Sequence, residues 1–312
     1  MEANVIREAV RERYGRIARE AAEGGCCGGS GCCAPGGSSG DLGYTSDDRA
    51  TVPAGADLGL GCGNPQAIAA LKPGERVLDL GSGAGFDALL AASQVGPTGS
   101  VIGVDMTPEM IARARRNAAT AGFAHVEFVL GEIERLPVSD GSIDVILSNC
   151  VINLSPDKPA VFREAFRVLA PGGRLAISDV VATVELTPAM RADLAAYTGC
   201  IAGAALVRDI DAMLRAAGFE SVRISEKSGG RELVRQWAPD LGADRFVVSA
   251  TIEAIKSTAS SATAKADGRD DVAQACCDTV LLSECCSADA KAGCCDSHTA
   301  PQVCGCSAGA AR

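Results

Sequence analysis

The stretch VLDLGSGAG, Val77 to Gly85, constrains this chain more than any other. Val77, Leu78 and Leu80 form the short apolar run of a strand covered on both faces, and Gly81, Gly83 and Gly85 follow as a turn stripped of side chains. Phe86 stands where a dinucleotide fingerprint GxGxxG carries its last glycine, so the GxGxG spacing argues against a pyrophosphate on the next helix. Asp79 points the same way, because a carboxylate before the turn repels a phosphate and favours a cation. Asp105 ends the next strand, VIGVD, where an acidic side chain can accept hydrogen bonds from ribose hydroxyls.

The following pattern alternates strands and helices. It predicts strands at 76–80, 100–104, 125–130, 143–148 and 173–178, and helices at 86–95, 108–121 and 157–169. Thr107-Pro108-Glu109 is a helix start and Ala170-Pro171-Gly172-Gly173 a stop. Such alternation implies an α/β fold, a doubly wound and mostly parallel Rossmann-like sheet with right-handed crossovers. An amphipathic helix is expected over 3–22 and a mobile glycine- and cysteine-containing loop over 24–56, so 1–56 reads as an N-terminal appendage and 57–182 as the main domain. A smaller cap or insertion with closing strands is expected over 183–256, with helices at 188–198 and 208–217 and strands at 221–225 and 245–255. From 257 to 312 the composition turns to Ser, Ala, Thr, Asp and Cys and reads as a disordered tail.

The net charge of −10 argues against a nucleic-acid partner, since binding a polyanion requires clustered Lys and Arg. No apolar run approaches the roughly 20 residues of a membrane span, and the first twenty residues carry charges of both signs, unlike a targeting sequence. A cytoplasmic protein acting on a small molecule is the expectation. Of 15 cysteines, only Cys62, Cys150 and Cys200 lie in the part that reads as folded. With only two histidines and a large chain, reduced thiols that bind a soft element are expected in preference to structural bridges. The tail pairs Cys276/Cys277, Cys285/Cys286 and Cys294/Cys295 repeat every nine residues, which puts successive pairs on opposite sides of any helix; they suit soft-metal capture.

Cys150 ends the strand SIDVILSNC, and in an open α/β sheet ligands sit beyond such strand ends. The GxGxG turn with Asp79 and Asp105 resembles the nucleoside-binding half of class I S-adenosylmethionine-dependent methyltransferases. The likeness then narrows: GCGNP around Cys62, SNCVINLSPDK around Cys150 and TGCIAGA around Cys200 are similar to the three cysteine sites of the arsenite methyltransferase family. Tyr14-Gly15, DLGSGAGFD, GVDMTPEM and GEIE (131–134) also match, so the similarity runs from Tyr14 to Ile255.

That resemblance implies methyl transfer from S-adenosylmethionine to trivalent arsenic, taken up as arsenite or its thiol conjugates and held by Cys62, Cys150 and Cys200. A further N-terminal cysteine of some members is matched by Cys32 or Cys33. The implied cofactor contacts are Asp79, Gly81, Ser82, Gly83 and Gly85 at the methionine portion, Asp105 at the ribose, Met106 beside the adenine, and Glu132 or Ile133 on its far side. A thiol reductant such as thioredoxin or glutathione is implied as co-substrate. Trivalent arsenic is thiophilic, and its lone pair is the nucleophile, so no general base is required at the acceptor. Two other readings use the same residues: a C- or O-methyltransferase of the quinone-biosynthesis type, and a thiol-rich protein that sequesters metals or metalloids.

Overall fold

A computed structural model of the protein describes residues 2–21, 39–237 and 242–258, all within one unit, Met1–Ala259. Helix α1 (Ala3–Glu20) buries Ile6, Val10, Gly15 and Ala18 at helical spacing and leaves Glu8, Arg11, Glu12, Arg16, Arg19 and Glu20 exposed. The described part of the segment expected to be a mobile loop, residues 39–56, is anchored to the domain by a few buried side chains. Leu42, Tyr44, Val52 and Ala56 are buried, and α2 (Ser46–Thr51) opens on a capping box in which Thr45 and Asp48 satisfy each other's backbone amides. These apolar residues are placed by turns, so they leave no period to read.

After α3 (Gln66–Ala69) the βα alternation begins. It runs through β1 (Arg76–Leu80), α4 (Phe86–Val95), β2 (Ser100–Asp105), α5 (Pro108–Ala121), β3 (Val126–Leu130), β4 (Ile143–Asn149), α6 (Lys158–Val168) and β5 (Leu169–Ala182). The five strands pair in parallel, as the crossover helices require. Then come α7 (Pro188–Ala192), α8 (Leu194–Thr198), α9 (Val207–Ala217), β6 (Glu220–Glu226), α10 (Gly230–Trp237) and β7 (Val247–Ile255).

All seven strands form one sheet in the order β3-β2-β1-β4-β5-β7-β6. The segment expected as a cap thus also completes the sheet: β7 pairs antiparallel with β5, and β6 with β7. The predicted helix 188–198 is two helices, because Asp193 breaks the first and caps the second through the amides of Ala195 and Ala196. One face of the sheet packs Leu78, Leu80, Ile146 and Ile177 against Val161, Phe162 and Val168 of α6 and Leu214 of α9. On the other, Val77, Val101, Val145 and Leu147 meet α4 and α5. Phe162 is fully buried, so truncation to Ala would cost about 3 to 5 kcal/mol.

Strand order reverses between β1 and β4, since β2 and β3 extend one way and β5 the other. A crevice therefore opens above the C-terminal ends of β1 and β4, and it holds the ligand in this class of sheet. Among the described residues no helix is long and apolar enough to cross a membrane.

Candidate active site

The crevice is a cavity partly open to solvent, floored by the strand ends and roofed by Arg7, Val10 and Tyr14 of α1. Its first wall is the GxGxG turn, where Gly81 and Gly83 have φ of +66° and +51°. A Cβ on Gly81 would lie 2.4 Å from Val151 Cγ2, so that position requires glycine for space as well as for conformation. The Gly81 and Ser82 amides donate to the Val104 carbonyl at 2.8 and 3.0 Å, tying the turn to β2.

Three carboxyls converge here. Asp79 is buried, and its Oδ2 and the nearby Ser82 Oγ have no hydrogen-bond partner among the described residues. Burial, then the neighbouring Asp87 and Asp105, push the Asp79 carboxyl well above the usual range. Asp105 accepts from the amides of Gly83 at 3.0 Å and Thr107 at 2.8 Å, while burial pushes it up. Asp87 accepts from Tyr44 Oη at 2.7 Å. Such a wall is completed by a cation that also carries polar groups for the orphaned oxygens.

Of the remaining sequence candidates, Gly85 shapes the turn with φ +92° but does not line the cavity, whereas Met106 and Ile133 do. Glu132 is placed elsewhere. Its carboxylate pairs with Arg7 and Arg11 of α1 and is absent from the cavity wall, where Glu134 stands instead. One turn of loop puts Ile133 inward and Glu132 outward.

Beside this cavity Cys62, Cys150 and Cys200 bring their sulfurs within 4.8 Å of one another. They come from the loop before α3, the end of β4 and the end of α8. All three are buried, and only Cys150 faces the cavity. Three free thiols were the expectation; the sulfurs of Cys62 and Cys150 are in direct contact, with Cα atoms 5.4 Å apart, and Cys200 stands free of such a contact among the described residues. That separation lies within the range a bridge requires, and 88 residues of chain hide the pairing from sequence.

Cys150 and Cys200 both occupy the left-handed region, with φ of 59° and 65°. Side chains other than glycine adopt it at a cost that clusters at functional sites. The Cys150 amide donates to the Ser178 carbonyl at 2.9 Å, and the Cys62 carbonyl accepts from Ser249 Oγ at 2.7 Å. Burial, then the nearby Asp179, push the Cys200 thiol far above its usual value, so it is protonated at neutral pH.

Two further charged groups lie behind the sulfurs. Asp179 accepts from Asn153 Nδ2 and from the Ile152 and Val180 amides, and burial pushes it up to about 7. Lys158 donates to the Ser155 carbonyl at 3.0 Å, and burial pushes it down to about 8. Neither stands out in sequence, although Lys158 ends the SNCVINLSPDK motif. Asn149 and Asp87 also went unread inside motifs that were noticed. His125 sits against the Ala92 carbonyl, away from the cavity. Cys32, Cys33 and the tail cysteines Cys276, Cys277, Cys285, Cys286, Cys294 and Cys295 lie outside the described residues.

A family model described as a methyltransferase domain matches residues 71–218. The solved structure of an arsenic(III) S-adenosylmethionine methyltransferase from Chlamydomonas reinhardtii is 34% identical, with a TM-score of 0.52, over 72% of this chain and 74% of that one. This chain belongs to the arsenite methyltransferase family. Within that family, the arsenite methyltransferase of Halobacterium salinarum is 54% identical over 261 residues, 80% of this chain and 66% of that protein. The arsenite methyltransferase of Aquipseudomonas alcaligenes is 45% identical over 203 residues, 63% of this chain and 58% of that protein. The chain thus spans less than two thirds of the length of these arsenite methyltransferases.

Proposed function

We propose that this chain transfers methyl groups from S-adenosylmethionine to trivalent arsenic bound by the sulfurs of Cys62, Cys150 and Cys200. The observation that carries the reading is the cluster itself: three sulfurs within 4.8 Å, one of them in the wall of a cavity built for a nucleoside-bearing cation. A soft trivalent ion suits three thiolates. A C- or O-methyltransferase leaves Cys62 and Cys200 without a role, and a sequestering protein leaves the cavity without one.

The donor fits the residues present. The acidic wall and the orphaned Asp79 and Ser82 oxygens match its cationic, polar methionine end. Asp105 has lone pairs left for a ribose diol, and Met106 and Ile133 offer apolar surface to a base. When bound, S-adenosylmethionine supplies a methyl carbon activated by its sulfonium, whose carbon–sulfur bonding pair departs with the sulfur as the arsenic lone pair forms the arsenic–carbon bond.

The chain's own residues prepare that event. A disulfide between Cys62 and Cys150, wherever it forms, is opened by two electrons and two protons, which a thiol reductant of the glutathione or thioredoxin kind supplies by becoming a disulfide. The three thiols then replace the three hydroxyls of arsenite, and each thiol proton leaves in a water molecule. The high Cys200 pKa is therefore no obstacle. Holding acceptor and donor in line can lower the barrier by about 7 to 11 kcal/mol. A cytoplasmic setting, where thiols are kept reduced, suits this cycle. We assign the residues beyond 257, with their cysteine pairs, an accessory role in collecting soft ions.

The test is arsenic speciation after incubating the reduced full-length protein with arsenite and S-adenosylmethionine. Methylated arsenic is expected from the wild type. Cys150→Ser and Cys200→Ser should form none while binding S-adenosylhomocysteine normally by calorimetry. Full turnover in both variants would sink the reading.

A further inference from the structure

Asn149 precedes Cys150 at the end of β4, and both ends of its carboxamide are engaged. Oδ1 accepts from the Cys62 amide at 2.9 Å. Nδ2 lies 2.8 Å from the Gly63 carbonyl, 3.0 Å from Tyr44 Oη and 3.1 Å from Asp87 Oδ2. The Cys62 loop closes around this one amide: a Cβ on Gly61 would fall 2.7 Å from Asn149 Nδ2. Asn149, Asp87 and Tyr44 all line the cavity, whereas residues 62–69 do not.

We infer that Asn149 is a positioning residue that couples the cavity to the Cys62 loop, so that donor binding fixes the Cys62 sulfur beside Cys150. The inference rests on the proposed reading of the cavity as the donor site. In the structure Asp79 and Asp87 are both buried, and Asp87 stands close enough to push the Asp79 carboxyl up beyond what burial alone does. A cation bound beside them relieves that repulsion and keeps Asp87 an ionised acceptor, the stronger partner for an amide N–H. Asn149 Nδ2 is then held toward Asp87, which keeps Oδ1 aimed at the Cys62 amide. Gln66, farther along the same loop, also donates to the Asp87 carbonyl at 2.7 Å, so Asn149 is the link to the Cys62 end of the loop. Because binding free energies are reciprocal, ordering that end also favours donor binding.

The test is amide hydrogen exchange on the full, reduced chain with S-adenosylmethionine and without arsenite. In the wild type the donor should protect residues 77–90, which reach into the cavity, and should also slow exchange across 62–69 by roughly tenfold, an ordinary size for coupling between sites. In Asn149→Ser the protection at 62–64, the end of the loop that Asn149 holds, should vanish while that at 77–90 remains. Gly61→Ala, which crowds the same amide without changing a polar group, should behave alike and serves if the first variant does not fold. Equal protection of 62–64 in the variants, or none there in the wild type, overturns the coupling alone. Absence of protection at 77–90 in the wild type overturns the donor site and the coupling with it. Arsenite plays no part, so failure of the arsenic reading would appear only in the separate speciation assay.

Discussion

The Cys200 thiol donates a hydrogen bond to the Cys150 carbonyl oxygen at 2.9 Å, and both residues are held at positive φ. One cysteine of the cluster thus braces the backbone of the other, and the strain at each is fixed by the contact between them. At ordinary buried positions Ala is better tolerated than Gly. Here the order should reverse: Cys200→Gly should be more stable than Cys200→Ala by about 1 kcal/mol, since an L-residue in the left-handed region loses about 1 to 2 kcal/mol. Urea melts of the two variants under reducing conditions give the comparison, and the usual order would show that the strain is relaxed in solution.

A disulfide between Cys62 and Cys150 and an ion held by all three sulfurs exclude each other. Arsenite added to the reduced protein should therefore block re-formation of that bond on mild oxidation. Peptide mapping should recover the 62–150 linkage without arsenite and not with it. Linkage in equal yield under both conditions would mean that the cysteines do not share the ion.

Asp105 and Glu132 were both read as donor contacts, yet only Asp105 faces the cavity. Asp105→Asn should weaken S-adenosylhomocysteine binding by at least tenfold, about 1.4 kcal/mol or more, because a charge-assisted acceptor is replaced in a buried site. Glu132→Ala should change it by about threefold at most, since its pairs with Arg7 and Arg11 are partly exposed and worth little. Calorimetry decides, and a large loss in Glu132→Ala would return that residue to the site.

Lys158 makes a statement about stability against pH. Burial pushes it down to about 8, whereas an unfolded lysine titrates near about 10.4. Between those values the unfolded chain binds more protons than the native one, so this group raises stability as pH rises; below about pH 8 its penalty is full and constant. Any advantage of Lys158→Met over the wild type should accordingly shrink from about pH 8 to about pH 10, while the cysteine and tyrosine titrations common to both chains cancel in the difference. Paired denaturant melts across the window measure it, and a difference flat in pH would mean the ammonium is solvated.

The donor half of the site was legible because its signals are local. A strand, three glycines and two acids at fixed offsets encode the turn, and the βα alternation places it at a strand end. The thiol half was legible only as three separated cysteines. Their pairing, and the Asn149 carboxamide that joins Tyr44, Cys62 and Asp87 across up to 105 residues, have no local signature. The sequence assigns no element at α10 for a different reason: Leu233, Val234 and Trp237 lie at helical spacing, but eight residues are too short a stretch to set that period apart. Periodicity missed the turn-placed Leu42 and Tyr44 altogether.

The hydrogen bond from Ser249 to the Cys62 carbonyl bears on how the protein is made. The three cysteines leave the ribosome in the order 62, 150, 200, but the strand that anchors the first of them follows later, with Ser249 lying 49 residues after Cys200. A growing polypeptide therefore lacks this anchor of the Cys62 carbonyl until the last strand is made, although Asn149, earlier in the chain, can already accept from the Cys62 amide.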